Sequence, residues 1–290
     1  MPNLKEIRNR IQSVGSTMQI TSAMKMVSAA KLKKAQDAVT QMRPYASKLK
    51  EILENLSATL DLSENAFAAN RGDSKVLIIG ITSNRGLCGG FNNNIIKRVG
   101  VLINQEYAGK ELKLICLGKK IKDSYKQTNH YHTNDAIAPV EDIFSDLTYA
   151  RISVLVEEIM RGFTAKEYDK VLLVYNRFVN AANQVVETEQ LLPVLPPASS
   201  QSASGDYIFE PGKQEIVEDL IPKALKLQLF KAARDSFAAE HGARMTAMHK
   251  ATDNAKDLQR NLKLGYNKAR QAAITNEILE IVGGAEALNA

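Results

Sequence analysis

The sequence predicts an α/β protein in three parts: a long antiparallel coiled coil of N- and C-terminal helices, with an inserted open α/β, Rossmann-like domain. Three observations predict it. An apolar spacing of three and four residues persists through the first 60 positions. A second helical pattern fills the C-terminal part from about Gln214. Between them, apolar runs of strand length alternate with helical stretches.

The N-terminal helix comes first, over residues 1–60. Its repeating positions are Leu4, Ile7, Ile11, Val14, Met18, Thr21, Lys25, Ser28, Leu32, Ala35, Val39, Met42, Ala46, Leu49, Leu53, Leu56 and Leu60. Only Thr21, Lys25 and Ser28 break the apolar run, so this is a heptad seam. At the helical rise the segment extends about 85 Å, more than a small domain can cover. Pro44 lies inside it and predicts a kink or the passage from a free shaft to a docked segment.

The middle, residues 73–210, alternates. "KVLIIGI" predicts a strand and the stretch from about Asn92 to Tyr107 a helix. "ELKLICLG" is a strand, followed by polar "KKIKDSYKQ". A helix is expected over roughly Ile143–Gly162, then the strand "KVLLVYNRFV" with "NQVVETEQLLPV" as its hairpin partner. The sheet is therefore parallel at first, with an antiparallel edge. "PPASSQSASG" reads as a loop and "DYIFEP" as a short strand.

The C-terminal helix occupies residues 214–290. Phe230, Ala233, Phe237, Met248, Ala251, Ala255, Leu258 and Leu262 lie mostly on one face, and the many alanines permit close helix approach. Its last part carries Ile274, Ile278, Ile281 and Val282. Two long helices at opposite chain ends pair most simply as an antiparallel coiled coil.

Bulk properties narrow the function. Net charge is +6, split as +6 over residues 1–60, −4 over residues 61–222 and +4 over residues 223–290. Basic ends on an acidic centre point to acidic partners for the ends. No run approaches the ~18 apolar residues of a membrane span. The first ten residues lack the apolar core of a secretion signal and already read as helix, so no removable leader is expected. Cys88 and Cys116 are too few for a disulfide scaffold, which predicts a reducing compartment.

"SNRGLCGGFN", Ser83–Asn92, sits between a strand and a helix, where many proteins hold a phosphate. The phosphate-loop pattern fails: Gly80 to Gly86 has the wrong spacing, and Leu87 stands where the lysine belongs. The dinucleotide fingerprint fails too, because Gly86, Gly89 and Gly90 give G-x-x-G-G. Loop glycines here serve positive φ and close packing. His130 and His132 lie in a polar stretch expected to be a solvated loop. His241 and His249 are eight apart, without a carboxylate partner at the usual spacing. Cys88, before glycines at a helix start, has a setting that lowers a thiol pKa. No metal or cofactor set emerges. On the residues alone a Rossmann-like nucleotide-binding enzyme and a basic coiled-coil nucleic-acid-binding protein stay open beside a structural role.

Three stretches carry a resemblance. "MPNLKEIRNRIQSVGSTMQITSAMKMVSAAKLKKAQ", "SNRGLCGGFN" and "MHKATDNAKDLQRNLKLGYNKARQAAITNEILEIVGGAEAL" together resemble the γ subunit family of the F-type ATP synthase, in order and at family length. The resemblance implies the central rotor shaft, which couples ion-driven rotation of a membrane ring to sequential change in the catalytic β subunits. It implies no catalytic site, cofactor or metal of its own. The implied partners are the α and β subunits, the ε subunit and the membrane c-ring, with no nucleic acid. By the same resemblance Arg270, Gln271 and Thr275 are contacts to the β catch loop. Met24 and Lys25 form the neck facing an acidic β loop, and Tyr207, Phe209 and Glu210 meet the rotor ring or ε. The expected location is peripheral, on the cytoplasmic face of a bacterial inner membrane. The short loop at residues 196–205 has no cysteine, so thiol control of the plastid kind is not expected.

Overall fold

The computed structural model describes residues 4–59, 66–194 and 213–289. Helix α1 (Leu4–Thr59) is followed by β1 (Lys75–Ile81), α2 (Phe91–Val101), β2 (Glu111–Leu117), α3 (Lys119–Tyr125), α4 (Tyr149–Thr164), β3 (Lys170–Phe178), β4 (Gln184–Leu192) and α5 (Lys213–Asn289). The segments 196–205 and 206–211, expected as loop and strand, lie outside the described residues. So do Tyr207, Phe209 and Glu210.

The chain forms two compact units. One comprises residues 29–244. The other unites the chain ends, up to Ser28 and from Met245 onward.

In the larger unit the four strands are ordered β2-β1-β3-β4. β1 pairs in parallel with both β2 and β3, and β4 closes one edge antiparallel to β3. This is the mixed sheet expected from the sequence. β1 is buried from Val76 to Ile81, because helices cover both faces and every side chain on the strand enters a core. Alternation sorts those side chains. Leu77, Ile79 and Ile81 join α4 and α5 residues such as Leu155, Ile159, Leu225 and Leu229. Val76 and Ile78 join Ile95, Val99 and Ile121 from α2 and α3.

Two local expectations are corrected, and one unassigned stretch proves helical. The helix expected from Ile143 opens instead as a 3-10 turn at Ile143–Ser145, and α4 begins at Tyr149. The polar stretch after β2 contains helix α3, seated by the single buried side chain Ile121. His130 and His132 are not in a solvated loop. Their segment adds a short parallel pairing to β2, with Leu114 N–H donating to His130 O at 2.6 Å and His132 N–H to Leu114 O at 2.9 Å.

In this unit α1 keeps its seam, with Leu32, Ala35, Val39 and Leu49 buried. From Ala238 to Arg244 every α5 residue is buried. A helix covered all round is lined mostly by small or paired side chains, His241 being the exception in this stretch. Here Ala238, Ala239, Gly242 and Ala243 are small, and Glu240 pairs with Arg244.

The smaller unit holds the antiparallel helix pair. A Cβ at Gly15 would meet the Gln259 side chain, Thr21 meets Thr252, and Lys25 meets His249. Numbers rise along α1 as they fall along α5. On α5 the covered positions include Met248, Ala251, Thr252, Ala255, Gln259 and Leu262. Leu258, expected on this face, points outward at 49% exposure. The seam steps by four from Ala255 to Gln259, and an interior glutamine takes the place of the leucine.

Candidate functional site

The Ser83–Asn92 loop connects β1 to α2 at the C-terminal end of the parallel strands. β1 has β2 on one side and β3 on the other, so the chain leaves β1 in one direction and returns in the other. Open α/β sheets bind ligands in the crevice outside such a switch point. Here that crevice holds α5. A Cβ at Gly242 would lie 3.2 Å from Ala181 Cα and 3.2 Å from the Phe178 ring, at the end of β3. Ala239 and Ala243 pack with Cys88 and Phe91. Arg244 Nη2 donates to the carbonyls of Arg85 at 3.1 Å and Gly86 at 3.3 Å.

The loop fastens itself from within. Ser83 N–H donates to Asn92 Oδ1 at 2.9 Å, and Ser83 Oγ donates to Arg85 O at 2.6 Å. Asn92 Nδ2 reaches Cys88 Sγ at 3.2 Å. Leu87 and Gly89 adopt φ of 63° and 60°, so the loop doubles back without needing a ligand to shape it. Asn84 Nδ2 donates to Asp142, and Asn84 Oδ1 accepts from Lys119 N–H at 3.1 Å. Of the loop glycines, Gly89 serves the turn through its positive φ. The close seat of α5 is provided by Gly242 on the helix and not by Gly86, Gly89 or Gly90, which the expectation of close packing names.

Cys88 is buried, and burial raises its thiol pKa above the ordinary value. This overturns the expectation of a lowered pKa. Cys116, inside the sheet core, is pushed up to about 12 by burial and the Glu141 charge. Among the described residues no group of His, Cys, Asp and Glu is placed to hold a metal ion.

The remaining candidate residues sit on the helix pair. Met24 and Lys25 are half-buried on α1. Lys25 Nζ lies 3.4 Å from His249 Nδ1, and the same nitrogen lies 3.4 Å from Asp253 Oδ2. His249 thus has a carboxylate one turn on, contrary to the sequence reading. Its Nδ1 lies between the Lys25 ammonium and the Asp253 carboxylate. Arg270, Gln271 and Thr275 are exposed on α5. They lie about 30 Å along the helix from His249, so the two candidate groups are separate stations. Thr275 Oγ1 donates to Gln271 O at 2.9 Å, and these two, four residues apart, share a face. Arg270 stands about 100° round the helix from Gln271. Beyond them Ile274, Ile278, Leu279, Ile281 and Val282 are 47–71% exposed. No described helix is long and apolar enough to cross a membrane.

Comparison with known proteins places this architecture. A family model described as ATP synthase matches residues 3–288. The ATP synthase gamma chain of Flavobacterium johnsoniae is 61% identical, covering 100% of each chain. That of Christiangramia forsetii is 58% identical, again over 100% of both. Among solved structures, a chain of the Euglena gracilis mitochondrial ATP synthase OSCP/F1/c-ring assembly shares the fold with a TM-score of 0.65. It is 21% identical, and the match covers 98% of this chain and 94% of that one. A rotor chain of the same organism's enzyme gives 0.61 at 19% identity, over 93% and 98%. The chain belongs to the ATP synthase gamma-chain family.

Proposed function

We propose that this chain is the central rotor shaft of an F-type ATP synthase, coupling ion-driven rotation of a membrane c-ring to sequential conformational change of the catalytic β subunits. The observation that carries the reading is the far end of α5. Large apolar side chains at Ile274, Ile278, Leu279, Ile281 and Val282 stand exposed there, and an apolar patch of that kind marks a surface made for a partner. A sleeve formed by the α and β subunits covers it in the assembly, and the contacts must slide as the shaft turns. Arg270, Gln271 and Thr275 offer releasable hydrogen bonds to β just below it. Met24 and Lys25 face an acidic β loop at the neck. Tyr207, Phe209 and Glu210 meet the c-ring or ε.

On this reading the chain contributes shape and torque, holds no catalytic site or cofactor, and works as a peripheral subunit on the cytoplasmic face of a bacterial inner membrane. The test is co-purification of the chain with α and β subunits from the native membrane, followed by ATP hydrolysis with and without it. Recovery of an active complex that contains the chain is expected. An α/β complex of full activity that excludes it would sink the reading.

A further inference from the structure

Arg244 faces two elements at once. Its Nη1 donates to Glu240 Oε1, one turn back on α5, at 2.5 Å, and both side chains are 9% exposed. Its Nη2 donates to the Arg85 and Gly86 carbonyls of the β1–α2 loop. We infer that Arg244 is a positioning residue that keys the β1–α2 loop to α5, so that helix and sheet domain turn as one piece under torque. The inference rests on the rotor reading above.

Three features support it. The first is directionality. Elsewhere α5 meets the sheet mainly through apolar packing, as at Leu225, Leu229 and Ala233, which opposes separation but has no preferred direction. Its other directional tie to the sheet is the neutral Gln228 amide, which donates to Glu189 Oε1 at 2.7 Å and Gln190 O at 3.1 Å on the edge strand β4. Its pair between Lys226 and Glu157 leaves Glu157 58% exposed, and solvated pairs of that kind hold geometry weakly. A buried guanidinium bonded on two sides fixes an angle. The second is chemistry. A planar fork reaches a carboxylate along the helix and carbonyls across from it, which a single ammonium does not reproduce. A buried ion pair adds little net stability over apolar packing, so its value lies in fixing registry. The third is fit. Gly242 lets α5 approach Ala181 and Phe178, and the loop is already stiffened by Ser83 and Asn92. The clamp therefore grips something rigid.

The test uses the assembled complex in inverted membrane vesicles, reading ions moved per ATP hydrolysed. It also follows amide hydrogen exchange of residues 84–87 in the complex. The main variant is Glu240→Gln with Arg244→Met, which leaves no buried charge behind. Ions moved per ATP are expected to fall about threefold or more, since misplacement far from the chemistry is costly. Loop exchange should quicken about tenfold. Arg244→Lys should fall between, and Lys226→Met should keep the parent ratio. An unchanged ratio alongside a loosened loop overturns the inference. So does an equal loss in Lys226→Met. Should the double variant not assemble, Arg244→Lys decides, and full coupling there overturns it. A parent chain that never joins α and β subunits instead overturns the rotor reading itself, whereas loop exchange reports on the clamp alone.

Discussion

The hydroxyl of Thr252 lies 2.8 Å from that of Thr21, across the seam of the helix pair. Thr21 Oγ1 in turn donates to Met18 O at 3.1 Å, and Thr252 Oγ1 is 2.8 Å from Met248 O. A polar rung thus sits where a coiled coil ordinarily buries aliphatic side chains. Replacing both partners with an apolar isostere removes the need for the bond as well as the bond. Thr21→Val with Thr252→Val should therefore stabilise the pair, by about 1 kcal/mol. Hydrogen exchange across residues 14–28 and 248–262 would slow accordingly. Faster exchange in the double variant would show that the rung holds the helices together.

Arg270 and Gln271 are exposed, so replacing them leaves the fold of the free chain unchanged. Arg270→Leu with Gln271→Leu should lower ATP hydrolysis by the reconstituted α/β complex about tenfold, the equivalent of one bond of about 1.4 kcal/mol. A tighter grip than a few such bonds would stall rotation. Equal turnover and equal assembly in parent and variant would make these side chains bystanders on a shaft that couples by shape.

His241 is buried with both ring nitrogens unpartnered, edge-on to Phe237 at 4.5 Å. Burial first, then the Arg244 and Lys31 charges, lowers its pKa from 6.5 to about 4. The unfolded chain takes up this proton near 6.5 and the folded chain only near 4, so the unfolded state binds more protons between those values. Folding stability is whole above that window and falls as pH drops through it, by about 3 kcal/mol in all. His241→Phe should remove that share of the acid sensitivity. Urea midpoints of parent and variant at pH 7 and pH 4.5 would show it, and parallel shifts would refute it.

Gly118 follows β2 with φ 104°, and a Cβ there would lie 2.1 Å from Thr82 O. That clash is with backbone and has no side-chain escape. Gly118→Ala should cost more than about 3 kcal/mol. Gly89 also has positive φ, 60°, but open space around it, so Gly89→Ala should cost only about 1–2 kcal/mol. Thermal unfolding of the two variants side by side checks the order, and equal losses would mean that φ alone decides.

Much of this was legible because it is periodic. The 3–4 spacing of α1 predicts its buried positions from Ile7 to Leu49, and the apolar runs of β1, β2 and β3 announce strands covered on both faces. What has no period was missed. Helix α3 rests on one buried isoleucine, too little for an amphipathic pattern. The pairing at His130–His132 is made by backbone, to which side-chain pattern is indifferent. Leu258 misled because a heptad count drifts against the real helix, and the seam moved on to Gln259. The His249–Asp253 pair was readable from its spacing of four. The clamp from Arg244 to Gly86 spans 158 residues, and nothing local in the sequence signals it.

The crevice occupied by Gly242 and its neighbours carries one more consequence. α5 is tethered to the sheet it fills, so it competes with any diffusing molecule at an effective concentration that solution ligands rarely match. Admission of a nucleotide would require evicting a helix that also belongs to the second unit. The crevice that an open sheet of this kind ordinarily offers to a ligand is in this way given over to holding a helix.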